Sequence, residues 1–471
     1  MSVYYDLGVV GLAVMGQNLV LNIESKGYKV AVYNRSTDKV NDFISQRAAK
    51  KNIKGCYSLK ELIESLSSPK KVMLMVKAGD PVDKVINSLI PLLKEEDIII
   101  DGGNSHFKDT NRRMKKLEKQ GIKYLGAGIS GGEYGALHGP SIMPGGNKTA
   151  YKKIERIFID SAAKTKEGPC VSYLGPNSAG HYVKMVHNGI EYGVMASISE
   201  AYDIMRKILN YNPEKMGSLF ANWNESQESY LLEITADILV KEDELSENKL
   251  IDVILDSAQE KGTGKWSVQD AMELGIAIPS INAAVNSRYL SAAREDRQKI
   301  NEEIGGIKKI NYEEKYLKEI LEDALFIGML ISYTEGLKLL EAASKEYSYD
   351  LNLAEIARIW QEGCIIRSNL LKAIQEVYKG KAPINLFFSN KFKNEVAEKM
   401  KALREVVKIS KDIGLAIPAL SSALDYYDIM RTKEMPANLI QAQRDYFGAH
   451  TYQRKDKEGI FHTEWQDIKN I

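Results

Sequence analysis

The sequence predicts an α/β, doubly wound N-terminal domain followed by a large all-α domain with internal duplication and a C-terminal tail. Three observations carry this. Near-continuous apolar β runs alternate with helix-length segments up to Gly128. Strand signals almost vanish beyond about residue 178, where helical periodicity takes over. The helical part also resembles itself at a nearly constant offset.

The expected strands are LGVVG (7–11), KVAVYN (29–34), KVMLMV (71–76), DIIIDGG (97–103) and IKYLGAG (122–128). Apolar runs of this kind, joined through helices, indicate a parallel sheet covered on both faces. In the helical part, Gly193-Val-Met-Ala-Ser-Ile-Ser-Glu200 resembles Gly328-Met-Leu-Ile-Ser-Tyr-Thr-Glu335. Trp223 matches Trp360, and Gly275-Ile-Ala-Ile-Pro279 matches Gly414-Leu-Ala-Ile-Pro418, at offsets of 135, 137 and 139 for the three matches. A duplicated unit follows, because two similar halves can bury each other's apolar faces. The stretch after Pro436 is polar and aromatic, with too little apolar material for a core, so it is expected to be disordered or to dock elsewhere. Domains are expected at 1–178, 179–434 and 435–471.

Composition removes several classes of function. With 471 residues, 64 basic against 63 acidic, the chain has no global charge suited to nucleic acid. No apolar run is as long as a membrane span, and MSVYYDLGVVG lacks the basic start of an export signal, so a cytoplasmic protein is expected. Cys56, Cys170 and Cys364 form no CxxC pattern and are read as reduced thiols. The six histidines have no metal-ligand spacing, so no metal is expected.

The first strand ends in Gly11-Leu12-Ala13-Val14-Met15-Gly16 before a helical segment. Gly11 permits the tight bend, the small residue at 13 lets backbone approach a pyrophosphate, and Gly16 permits close helix–strand packing. Ala13 departs from the usual second glycine. The second strand ends at Tyr33-Asn34-Arg35-Ser36-Thr37, where an NAD-binding domain usually carries an acid for the ribose 2′-hydroxyl. A guanidinium there suits a 2′-phosphate, so this Rossmann-like domain is expected to take NADP.

Residues 177–202 read as a helix capped by Asn177 or Ser178. Lys184, Asn188, Glu191 and Tyr192 share one face, a base, a polar orienter and an acid on one stripe. Their equivalents in the repeat are Glu319, Asp323, Phe326 and Ile327, so the scaffold repeats while this constellation does not. Gln259-Glu-Lys261-Gly262-Thr263-Gly264-Lys265-Trp266 combines lysines and glycines as a phosphate cradle would. Ser130-Gly131-Gly132 and Pro144-Gly145-Gly146-Asn147 are expected beyond the strand ends, where open α/β sheets bind ligands.

These segments resemble the 6-phosphogluconate dehydrogenase family over essentially the whole chain. The motifs are GLAVMGQNL (11–19), NRS (34–36), VKAG (76–79), DGGNS (101–105), ISGGEYGA (129–136), SIMPGGN (141–147), HYVKMVHNGIEYG (181–193), the variant QEKGTGKW (259–266), CIIRS (364–368) and LIQAQRDYFGAHTY (439–452). The resemblance implies NADP-dependent oxidative decarboxylation of 6-phosphogluconate to ribulose 5-phosphate. It implies Lys184 as general base, Asn188 holding the reacting oxygen and Glu191 as acid. Asn104, Ser130, Gly131, Gly132, His187, Tyr192, Lys261, Thr263 and Arg288 would bind substrate, joined by Arg444 and His450 from the tail. Gly11, Leu12, Ala13, Val14, Met15, Gly16, Asn34, Arg35, Ser36, Val76, Lys77, Ala78 and Asn104 would bind the cofactor. It further implies a homodimer whose tails reach into the partner. As a base Lys184 must be neutral, so burial or neighbouring positive charge should depress its pKa. The alternatives are an NAD-linked, non-decarboxylating β-hydroxyacid dehydrogenase and a non-catalytic NADP-binding sensor.

Overall fold

A computed structural model of the chain describes residues 4–308 and 312–465. Its internal contacts form two units that divide between Ala423 and Leu424.

The first unit begins with alternating strands and helices: β1 (Leu7–Val10), α1 (Val14–Ser25), β2 (Val30–Tyr33), α2 (Thr37–Asp42), β3 (Ile53–Cys56), α3 (Leu59–Ser65), β4 (Lys71–Leu74), α4 (Asp80–Leu89), β5 (Ile98–Asp101), α5 (Phe107–Glu118), β6 (Lys123–Ser130), α6 (Gly132–His138), β7 (Ser141–Gly146) and α7 (Lys148–Ser161). The sheet order is β3-β2-β1-β4-β5-β6-β7, parallel except for β7. One apolar cluster, around Val9, Val32 and Ile100 with α1 and α7, covers one face. A second, around Val10, Leu74 and Ile99 with α3 and α4, covers the other. All five expected strands are present.

Two further strands of this sheet escaped the sequence reading. β3 is a short edge strand whose IKGC sequence buries only its two ends. β7 contains Pro144, Gly145 and Gly146, residues that argue against a strand, and Pro is tolerated because β7 lies at the sheet edge. The expectation that 144–147 forms a ligand loop is therefore corrected. Residues 141–146 are buried strand, and a Cβ on Gly145 would lie 2.3 Å from the Gly180 nitrogen. Asn147 caps α7 by accepting from the Ala150 N–H.

Helices follow: α8 (Ala179–Lys207), α9 (Pro213–Gln227), α10 (Tyr230–Val240), α11 (Leu250–Val253), α12 (Thr263–Glu273), α13 (Pro279–Ala292), α14 (Arg294–Ile304), α15 (Glu314–Glu346), α16 (Leu353–Ile359), α17 (Asn369–Lys379), α18 (Lys393–Asp412) and α19 (Pro418–Met430). Ser178 precedes α8 without a capping hydrogen bond, its hydroxyl lying instead 2.7 Å from the Tyr349 hydroxyl.

The repeat is expressed as reciprocal contact between α8 and α15. A Cβ on Gly193 would meet the Ser332 hydroxyl at 2.5 Å, and one on Gly328 would meet the Ser197 hydroxyl at 2.8 Å. Glu200 of α8 accepts from the Ala419 and Leu420 N–H groups at the start of α19. Glu335 of α15 accepts from the Ser280 and Ile281 N–H groups at the start of α13. Each half thus caps a helix of the other, satisfying donors that a helix N-terminus leaves open. Burial pushes both carboxyls up to about 7, against the pull of those donors.

The second unit contains α20 (Ala437–Gly448) and an antiparallel bridge between Tyr452 and Phe461. Among its described residues a buried carboxylate gathers the chain. Asp445 is fully buried and accepts from the Thr451 and Thr463 N–H groups, the Trp465 indole and the His462 ring.

Glu200→Gln and Glu335→Gln each keep one acceptor and lose the other, leaving a buried N–H unpaired. Each substitution should lower stability by about 1–3 kcal/mol, and by similar amounts, read from the urea midpoint at constant m-value.

Candidate active site

Ligands of open α/β sheets bind where the strand order reverses, here between β1 and β4. A cleft of about 630 Å³ lies there, lined by Gly11, Ala13, Asn34, Arg35, Ser36, Val76 and Lys77 among others. Gly11 has φ +110°, a conformation that favours glycine. A Cβ on Gly16 would lie 2.1 Å from the Gly11 carbonyl oxygen, so α1 packs against the turn as its motif requires. The Leu12 N–H donates to the Asn34 side chain, joining the two cofactor segments. No side chain caps the start of α1, which leaves its N–H groups for phosphate. These features fit NADP, with exposed Arg35 and Ser36 at the end of β2 for the 2′-phosphate. Lys39 and Lys84 also line the cleft and were missed. Lys39 lies in α2, four residues after Arg35 in sequence.

Of the remaining expected cofactor residues, Val14 and Met15 form the first turn of α1, and Ala78 lies in the β4–α4 loop. Asn104 is exposed on the β5–α5 loop.

The lysine-bearing face of α8 lies against the sheet. A Cβ on Gly128 of β6 would fall 2.3 Å from the Lys184 Cβ, so only glycine lets the helix approach. Lys184 is 5% exposed and His187 fully buried. The Lys184 Nζ lies 3.3 Å from His187 Nδ1, which lies 3.0 Å from Asn188 Oδ1. Asn188 donates in turn to the Thr263 hydroxyl at 3.1 Å. On the other side, Ser130 Oγ is 3.2 Å from His187 Nε2. The Asn188 oxygen needs a donor, so the His187 proton sits on Nδ1 and the Ser130 hydroxyl donates to Nε2. A ring proton then faces the Lys184 nitrogen, an arrangement that suits a neutral amine.

Burial lowers the Lys184 pKa, against the attraction of Glu191. Burial also depresses His187, with Lys184 adding to it, and raises Glu191 against Lys184 and Arg288. Neighbouring positive charge, one of the two expected causes of the Lys184 shift, is not among its causes.

The α12 segment supplies the next wall. Gly262 precedes the helix with φ +103°, and Thr263 is buried, whereas Lys261 is exposed. Gly264 lies under the Tyr192 ring, where a Cβ would come within 2.5 Å. The Arg288 guanidinium stacks 3.5 Å from the centre of that ring and donates to the Gln259 carbonyl. Gly131 (φ +120°) and Gly132 open α6 beside the 360–366 loop. From that loop the Ile365 N–H approaches Ser130 Oγ at 3.4 Å, and Trp360 packs edge-on against His187. The CIIRS segment (364–368) counted in the sequence only towards the resemblance and received no site role, because the partners of this wall are far away in sequence.

In the repeat, Asp323 pairs with Lys399, which lies over Phe326. In the second unit, Arg444 is exposed and donates to Gln441, and exposed His450 packs edge-on against Phe447. Among the described residues no group of three or more His, Cys, Asp or Glu could hold a metal, and no helix is long and apolar enough to cross a membrane.

Removing a hydride from an alcohol requires a dinucleotide cleft and a group to take the hydroxyl proton. The class this fold and site define is an NADP-linked dehydrogenase. Residues 6–175 match the NAD binding domain of 6-phosphogluconate dehydrogenase, and residues 180–465 match its C-terminal domain. The chain is 50% identical over 464 residues to the NADP(+)-dependent, decarboxylating 6-phosphogluconate dehydrogenase of Bacillus subtilis, covering 98% of this chain and 99% of that one. It is 48% identical over 466 residues to the decarboxylating enzyme of Synechococcus elongatus, with 98% and 99% covered. The solved Plasmodium falciparum 6-phosphogluconate dehydrogenase, described in its apo form and with NADP+ or 6-phosphogluconate, has a TM-score of 0.94 and 44% identity, covering 98% of this chain and 100% of that one. The chain belongs to the 6-phosphogluconate dehydrogenase family.

Arg35→Leu should raise the KM for NADP about 10- to 100-fold, the worth of one or two charge-assisted hydrogen bonds, while leaving that for NAD nearly unchanged. Lys184→Met should abolish turnover yet raise stability by about 1–3 kcal/mol, because a thioether replaces a buried amine without orphaning a partner. Steady-state kinetics and urea unfolding check the two.

Proposed function

We propose that this chain oxidises and decarboxylates 6-phospho-D-gluconate to D-ribulose 5-phosphate and CO2 with NADP, in the cytoplasm and as a homodimer. The observation that carries the reading is the burial of Lys184 on Gly128, its nitrogen 3.3 Å from buried His187, with Glu191 two turns further along α8. That burial pushes the amine towards neutrality and the carboxyl towards its protonated form.

Lys184, neutral at the start, takes the proton of the C3 hydroxyl. Gly11, Ala13, Arg35 and Ser36 would hold NADP, which would supply the hydride acceptor for C3. His187 Nδ1 borders the Lys184 nitrogen and is held by Asn188, and the two side chains orient the C3 oxygen. The resulting β-keto acid breaks its C1–C2 bond, and the electron pair passes through C2 onto the C3 oxygen. Lys184, now an ammonium, returns its proton to that oxygen and becomes neutral again. Glu191 then protonates the carbon that lost CO2 while Lys184 removes the enediol proton, which gives the ketone of ribulose 5-phosphate. Both groups are reset by exchange with solvent.

Ser130, Gly131 and Gly132 bind the C1 carboxylate, and Asn104 aligns substrate with cofactor. Tyr192, Lys261, Thr263 and Arg288 hold the terminal phosphate, with Arg444 and His450 supplied by the tail of a second copy. Arg288 is stacked on Tyr192, which holds its guanidinium in place.

The test is stoichiometric: 6-phosphogluconate should give NADPH and CO2 in equal amounts. NADPH without CO2 would sink the decarboxylating reading. The plot of log kcat/KM against pH should be a bell. Activity climbs as the base loses its proton, at a pKa below 10.5, and falls as the acid loses its own, at a pKa above 4.5. Glu191→Gln should lower kcat by about 10²–10⁴ and remove one limb of the bell. Lys184→Arg with unchanged turnover and profile would overturn the assignment.

A further inference from the structure

Two loops flank the cofactor cleft and the substrate site: β4–α4, with Val76, Lys77 and Ala78, and β5–α5, with Asn104. They share a buried cation. Arg113, on the second turn of α5, is 1% exposed. Its Nη2 donates to the Gly79 carbonyl at 3.0 Å, at the end of the first loop. Nη1 donates to the Ser105 hydroxyl at 3.1 Å, next to Asn104 in the second. Nε and Nη2 grip both oxygens of Asp83 in α4, at 3.2 and 2.9 Å. The hydrogen bond from Arg113 holds the Asp83 carboxyl well below the usual carboxylate range.

Behind this fork lies Asp101, fully buried, with Oδ2 3.5 Å from Arg113 Nη1. It accepts from the Ser105 hydroxyl at 2.6 Å, the Tyr124 hydroxyl at 2.8 Å and the Gly103 N–H at 3.1 Å. Its carbonyl oxygen lies 3.0 Å from His181 Nε2. A carbonyl only accepts, so the His181 proton is on Nε2, and Nδ1 accepts from the Thr110 hydroxyl at 2.7 Å. Burial depresses the His181 pKa, consistent with that neutral ring. His181 stands one turn before Lys184 on α8.

We propose that Arg113 is a positioning residue, whose guanidinium locks the cofactor loop to the substrate loop and, through Asp101 and His181, to the helix that carries Lys184. An ion pair serving stability alone needs one partner. All three nitrogens of Arg113 are engaged, and its neutral partners belong to two different ligand loops. A planar fork holds several acceptors in fixed relation, which an ammonium does not. The proposal rests on the functional reading above for its kinetic consequence.

Arg113→Lys keeps the charge beside Asp83 and Asp101 but loses the fork. Ser105→Ala cuts the link to the second loop and leaves the grip on Asp83. With thermal stability monitored for each, kcat should fall about 10- to 100-fold in Arg113→Lys and in the same direction in Ser105→Ala, with both KM values within about threefold of the parent. Amide exchange gives a second readout with NADP as the only ligand. In the parent, NADP should slow exchange in both 76–79 and 102–106. In the variants the effect at 102–106 should disappear while that at 76–79 persists.

Retention of kcat within about twofold in both variants would overturn the proposal. So would a loss confined to the KM for NADP, or undiminished protection at 102–106. Should Arg113→Lys fail to fold, Ser105→Ala decides. A parent chain that makes no NADPH from 6-phosphogluconate would defeat the functional reading, and the exchange experiment would still decide the clamp.

Discussion

The interaction on which the rest depends is the pressing of α8 onto β6 and β7. At Gly128 and Gly145 the sheet offers bare backbone, and the helix sinks until the Lys184 stem lies directly on it. An amine so placed loses water on every side, and desolvation favours its uncharged form. The same burial favours the protonated form of Glu191. One packing event thus shifts two ionisable groups of opposite charge type towards their neutral forms, and no strong neighbouring charge is needed. His187 completes the arrangement by aiming its proton at Asn188 and the lysine.

The duplication explains why this occurs once. α8 and α15 cross with mirrored glycine–serine contacts, and each caps a helix of the other half. At the position of Asn188, α15 carries Asp323, paired with Lys399. The scaffold is therefore symmetric in its packing and asymmetric in its charges.

Much of this was legible in the sequence. The glycine turn, Arg35 and the five central strands depend on local patterns and the period of apolar residues, which do not need tertiary knowledge. The Lys184 stripe was visible as a face, although whether that face met solvent or a sheet was not. β7 was hidden because Pro144 and two glycines mimic a loop, and only the sheet edge makes them acceptable in a strand. The cause of the lysine shift, the wall from 360–366 and the Arg113 fork all join residues remote in sequence, and no local pattern announces them. The stretch after Pro436 was expected to be disordered or to dock elsewhere, for want of apolar material. Its order comes instead from Asp445, which four donors hold as a carboxylate in spite of its burial.

The crossed capping glutamates bear on how the helical part assembles. A half made alone would present α13 or α19 with open N–H groups and no carboxylate to meet them, since the acceptor resides on the other copy. Each repeat therefore draws a helix cap from the other, in contrast to solenoid units that stack one after another. A chain severed between the halves would leave the starts of α13 and α19 without these carboxylates unless the two pieces met.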